Sequence, residues 1–193
     1  LLAGGNIQLV QVKTLLPTYD VFDETRYFES GGRCKCITFR GRKMGLSICE
    51  DLWDTAALGR NIYGDDPIGL LAADGAEVVI NMAASPYQMG KAALREELFA
   101  RQARRVGSPI IYVNQVGGND ELIFDGGSCV VAADGRVIAR AKSFQEDLLI
   151  VDLPDREETK PPPARIEPVG DEIARLSAAL KLCLRDYVTK CGF

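Results

Sequence analysis

The strongest constraint on the fold is an alternation that runs through the middle of the chain. Residues 43–48 form a short strand pattern that stops abruptly at Cys49-Glu50-Asp51, residues 66–73 read as a short helix, and residues 77–81 carry the Val-Val-Ile run of a buried strand. Lys91–Val106 then sets Leu94, Leu98, Phe99, Ala103 and Val106 near helical spacing, and Ile110–Asn114 returns to a strand. Strand-rich pieces mixed with helices predict an α/β (α+β layered) domain.

Turn chemistry supplies the rest of the frame. Residues 1–3 and 7–12 flank Gly4-Gly5-Asn6 as a hairpin whose first strand is mostly missing. Residues 34–39 pair with 43–48 around Arg40-Gly41-Arg42, residues 128–132 with 136–141 around Asp134-Gly135, and 148–153 read as one more strand. Residues 17–32, rich in aromatics, form an ordered loop. A proline- and charge-rich stretch, 154–168, reads as an extended connector. Beyond it Asp171 caps a helix with Ile173, Leu176, Leu180, Leu184 and Tyr187 on one face, and Gly192 stops it.

Composition removes several functions. The net charge of -4 gives no electrostatic reason to bind nucleic acid or an anionic membrane, and no apolar run approaches the ~18 residues of a membrane span. The start lacks both a Met and the basic residues of a secretory signal, so the true N-terminus is expected upstream. The 6 cysteines have no metal-site spacing, which leaves reduced thiols and a cytoplasmic location as the expectation. With 0 His, these residues contain no Cys–His or Ser–His–Asp site and no His-bound metal. Lys, carboxylates, Cys, Ser or Tyr must carry protons.

Cys49 ends an apolar strand and is followed at once by polar residues, a place where a side chain can face a cleft. An isolated Cys is more often packing, and Glu50 with Asp51 would raise a thiol pKa, so a reactive Cys49 needs a cation nearby. Lys13 is the candidate, although a lone Lys at a strand end is usually just solvated. Gly117-Gly118-Asn119 and Gly126-Gly127 could cradle an anion, but turns are the commoner use. Trp53 reads as core or as a pocket wall.

Four segments, KTLLPTYDVFDE-x-RYF from Lys13, GLSICEDLW around Cys49, NMAASPYQMGK up to Lys91 and YVNQVGGNDELIFDGGS up to Ser128, together resemble the nitrilase superfamily of carbon–nitrogen hydrolases. More narrowly they resemble the glutaminase domain of glutamine-dependent NAD synthetases, and the similarity runs to about Val151. The resemblance implies a nitrilase-like α-β-β-α sandwich, incomplete at the N-terminus, over residues 1–153. It implies a linker at 154–170 and, at 171–193, the first helix of a synthetase domain. It further implies Cys49 as nucleophile, Lys13 as catalytic lysine and Glu24 as the glutamate that orients it. Tyr19, Ser85 and Lys91 match glutamine-binding positions, and Glu50 is expected to line that pocket and meet the substrate amino group.

The family's general-base glutamate lies upstream of Lys13 in a segment not present here, so the isolated chain is expected to be nearly inactive. The implied reaction is hydrolysis of L-glutamine to glutamate and ammonia through a cysteine thioester. Ammonia would then pass to a synthetase domain of the same polypeptide, where ATP and Mg act; no metal or cofactor is expected in the portion present. A homo-oligomer is also implied. Two rivals stand beside this reading: a stand-alone amidase or nitrilase, and a catalytically incomplete scaffold.

Overall fold

The computed structural model describes residues 1–32, 34–53, 63–153 and 164–193. Its centre is a six-stranded sheet built from β3 (Cys36–Phe39), β4 (Arg42–Ile48), β5 (Val78–Ala83), β6 (Ile110–Asn114), β9 (Cys129–Val131) and β10 (Val137–Arg140), in the order β10-β9-β6-β5-β4-β3. The inner strands β4, β5 and β6 are parallel, in the register Ser47–Asn81–Tyr112, and the outer pairs are antiparallel. Parallel strands need crossovers. Helices α1 (Pro67–Ala73) and α2 (Lys91–Val106) supply them, so the alternation in the sequence becomes a layered α/β fold.

Local chemistry sets the helix limits. Asp66 accepts from the Gly69 N–H and Pro67 opens α1 at a position where no N–H is needed. Gly107, at φ 65, ends α2 in the left-handed conformation, with Arg104 and Arg105 in the final turn. One face of the sheet buries Val79, Ile110, Tyr112, Cys129 and Val131 under Ile68 and Leu71 of α1 and Leu98, Phe99 and Ala103 of α2. On the other face Val130, Ile138 and Ala139 pack with Leu149, Val151 and Leu153, while Met82 and Val113 stay exposed.

Four expectations are corrected. The first hairpin pairs only β1 (Leu2–Ala3) with β2 (Asn6–Ile7), and its second strand does not continue to residue 12. Residues 148–153 form no ladder among the described residues: their side chains alternate between exposed and half-buried, but the backbone pairs with no strand there. Gly117 and Gly118 belong not to a turn but to β7 (Val116–Asn119), which pairs with β8 (Leu122–Asp125) in a separate hairpin.

The last correction concerns α3 (Glu172–Cys191). Its expected apolar face is mostly turned to solvent, with Ile173, Leu180, Leu184 and Tyr187 exposed. The helix instead lies on β7 and β8 with Arg175, Ala179 and Leu182 inward. Polar anchors choose that face: Asp186 accepts from the Gly118 N–H at 2.8 Å, and Arg175 reaches Asp125. Close approach requires glycine, because a Cβ on Gly118 would lie 3.2 Å from the Cys183 Cα. Most of the expected connector, residues 154–163, lies outside the described residues.

Candidate active site

The carboxyl ends of parallel strands are where open α/β sheets bring side chains to a crevice. Here β4 ends at Cys49, which opens a short turn, Cys49–Leu52, with φ of 44. A non-glycine residue held at positive φ stores backbone strain, so the surrounding contacts must fix it. Asp51 does much of this from a fully buried position. One of its oxygens accepts from the Ile48 N–H at 3.0 Å, and the other accepts from the Thr14 and Leu15 N–H groups at 3.0 and 2.8 Å. Asn81 on β5 donates to the Cys49 carbonyl at 3.3 Å and to the Ser47 hydroxyl at 3.0 Å.

Asp51 therefore ties the segment after Lys13 to the turn that presents Cys49. The Lys13 ammonium, half-buried, forms an ion pair with Glu24, and the Glu24 N–H is in turn held by the Pro17 carbonyl at 3.0 Å. Glu50 is buried and accepts from the Tyr19 hydroxyl at 2.6 Å and the Tyr63 hydroxyl at 3.2 Å. Lys91, at the start of α2, places its ammonium over the Trp53 ring at 5.6 Å from the centroid. Ser85 follows β5, is buried, and is held by Asn114 and Arg95.

The electrostatics fit one connected cluster. Burial pushes the Cys49 thiol up; the Lys13 ammonium, a backbone N–H of Ala84 and Lys91 pull it down, while Glu50 raises it. Burial also raises Glu50, against the two tyrosine hydroxyls, Lys13 and Lys91. Lys91 is lowered, first by burial and then by Arg95, with Cys49, Asp125 and Glu50 opposing. Asp51 is raised by burial, against its three backbone N–H donors and Lys13. Two cations, a thiol and an acceptor-rich carboxylate are thus within mutual electrostatic reach in a poorly solvated place.

All seven residues singled out in the sequence, Lys13, Tyr19, Glu24, Cys49, Glu50, Ser85 and Lys91, line or support this region. Sequence reasoning missed Tyr63, Asn81, Arg95, Asn114 and Asp125. Only tertiary contact reveals them, although Asn81, Asn114 and Asp125 lie inside the quoted motifs. Among the described residues no group of three or more Cys, Asp or Glu side chains is gathered to hold a metal. No helix there is long and apolar enough to cross a membrane.

Comparison with known proteins bears on the family and the fold. The sequence profile of the Carbon-nitrogen hydrolase family matches residues 3–161. The glutamine-dependent NAD(+) synthetase of Synechocystis sp. is 46% identical over 196 residues, covering 100% of this chain and 35% of that protein. The chain thus spans about a third of the length of the curated relatives it matches. The solved glutamine-dependent NAD+ synthetase from Acinetobacter baumannii superposes with a TM-score of 0.87 at 35% identity, over 100% of this chain and 34% of that one. An amidase from Nesterenkonia sp. AN1, solved with acrylamide added to its active-site cysteine, matches 77% of this chain and 55% of its own at 25% identity and a TM-score of 0.62. These neighbours share the nitrilase fold.

Proposed function

The chain belongs to the carbon–nitrogen hydrolase family, and on that premise we propose that it hydrolyses the side-chain amide of L-glutamine through a thioester on Cys49. The observation that carries the reading is Cys49 in its left-handed turn, joined through Asp51 to the Lys13 segment. The Cys49 thiolate attacks the amide carbon, and the tetrahedral oxygen takes up negative charge. Lys13, steered by Glu24, with the Ala84 N–H near the sulfur, supplies fixed positive charge for that oxygen. The nitrogen takes a proton and leaves as ammonia; water then cleaves the γ-glutamyl thioester to glutamate.

Glutamine is preferred over a simple amide because of Glu50. A buried carboxylate at the pocket has no role toward an apolar amide, whereas the substrate amino group would balance its charge. Tyr19, Ser85 and Lys91 complete the binding set, with Lys91 suited to the substrate carboxylate. Among the described residues Glu24 holds Lys13, Glu50 holds two tyrosines and Asp51 holds three N–H groups.

In the whole gene product, the same reading sends the ammonia to a synthetase domain of the same polypeptide, for ATP-dependent synthesis of NAD. On this reading ATP and Mg act in that domain. A cytoplasmic homo-oligomer is part of the proposal. The test is Cys49→Ser in the full gene product. Glutamine-dependent NAD synthesis should vanish while synthesis from free ammonia persists. Loss of both activities, or faster turnover of a simple amide than of glutamine by the unaltered protein, would defeat the reading.

A further inference from the structure

The proposed chemistry leaves unused a cluster of three buried charges. Arg95 of α2, Asp125 of β8 and Arg175 of α3 are each at most 5% exposed, yet they come from three separate elements. Arg175 donates to one Asp125 oxygen at 2.8 Å, and Arg95 donates to both, at 2.8 and 3.0 Å. The other end of Arg95 grips the pocket loop, donating to the Ser85 carbonyl at 3.0 Å, the Ser85 hydroxyl at 3.2 Å and the Pro86 carbonyl at 3.1 Å. Arg175 also stacks against that loop directly, 5.9 Å from the Tyr87 ring centroid and 5.2 Å from that of Phe144.

We propose that Arg175 is a positioning residue for the glutamine pocket: through Asp125 and Arg95 it holds the Ser85–Tyr87 loop, so that docking of α3 sets substrate affinity. The inference rests on the glutaminase reading of the pocket. Charge counting supports a dedicated role. Two guanidiniums share one carboxylate, which leaves a buried excess of positive charge that a purely structural pair would not need. A neutral pair of Arg95 and Asp125 would already satisfy the loop. The third member adds a mechanical link to a helix that otherwise lies on the β7–β8 hairpin and, through Glu172, accepts from the Gly90 N–H at the start of α2. The link acts on Ser85, which the glutaminase reading gives to substrate binding, so its loss falls on binding more than on chemistry.

The same counting picks the informative variant. Removing Asp125 would strand two buried cations, whereas Arg175→Met leaves Arg95 and Asp125 as a neutral pair and keeps the apolar stem. In the full gene product, Arg175→Met should raise KM for glutamine by about tenfold with kcat changed much less. Arg175→Lys should recover part of the loss, because a single ammonium can still reach Asp125 but cannot reproduce the planar stack. A merely structural role would lower the active fraction, and so kcat, at constant KM. Unchanged KM in Arg175→Met, with glutamine turnover intact in the unaltered protein, would overturn the proposal alone. Absence of glutamine turnover in the unaltered protein would overturn the glutaminase reading and the proposal with it.

Discussion

At Cys49 two effects oppose each other, and the larger one decides the protonation state. Burial removes water from the sulfur and raises its pKa, and it outweighs the pull of Lys13, the Ala84 N–H and Lys91. The free site should therefore rest as a thiol near neutral pH, forming thiolate only as pH rises. Alkylation of Cys49 by iodoacetamide should accelerate about tenfold per pH unit between pH 6 and 8, without a plateau. Lys13→Met removes the largest stabiliser of the thiolate, so the profile should move to higher pH and the rate at pH 7 should fall. A plateau below pH 7 in the unaltered protein would contradict this assignment. Of the candidate site, residue type and order single out Cys49 and Lys13, because a chain with 0 His has few ways to run nucleophilic chemistry, whereas the pocket role of Glu50 came with the family resemblance. Tyr63 was not legible, since nothing local marks a tyrosine that donates to a carboxylate 13 positions away.

At the scale of elements, Asp51 ties the turn Cys49–Leu52 to its surroundings through three backbone N–H bonds, beside the burial of Leu52 in the core. Asp51→Asn keeps a carbonyl oxygen for the Thr14 and Leu15 N–H groups but loses the acceptor facing the Ile48 N–H. The expected cost is about 1–3 kcal/mol of stability, read by urea unfolding, with slower alkylation of Cys49 as the Lys13 segment loosens. A variant as stable as the parent would show that the three bonds are not what holds the elbow. The same scale explains which elements the sequence revealed. Strands β4, β5 and β6 and helix α2 carry strong periodicity, so a local reading finds them. The β7–β8 hairpin escaped because Gly117-Gly118-Asn119 has turn composition, and its strand character exists only against Leu122–Asp125 and under α3. Residues 148–153 misled in the opposite direction: they have alternating burial without a partner strand. In α3 the apolar stripe pointed one way, and the Arg175–Asp125 and Asp186–Gly118 contacts turned the helix the other way.

For the molecule as a whole, the layered sheet solves one problem and sets another. It brings a thiol from the end of β4, an amine from the segment after β2 and a lysine from α2 into one poorly solvated pocket, over a span from Lys13 to Lys91. Amide hydrolysis also requires a carboxylate free to accept the thiol proton and return it to nitrogen. Among the described residues, Glu24, Glu50 and Asp51 already serve Lys13, two tyrosines and three backbone N–H groups, and freeing any one would dismantle the site it serves. General acid–base catalysis contributes about 10²–10⁴-fold. On the proposed reading the 193 residues should therefore hydrolyse glutamine slower by about that factor than a longer chain in which a further carboxylate stands free beside Cys49. Alkylation of Cys49, which needs no general base beyond solvent, should differ far less between the two. Side-by-side glutaminase and iodoacetamide rates on both chains separate the possibilities. Equal glutaminase rates would mean that Glu24, Glu50 or Asp51 is released during turnover, and substituting each by its amide would then identify which.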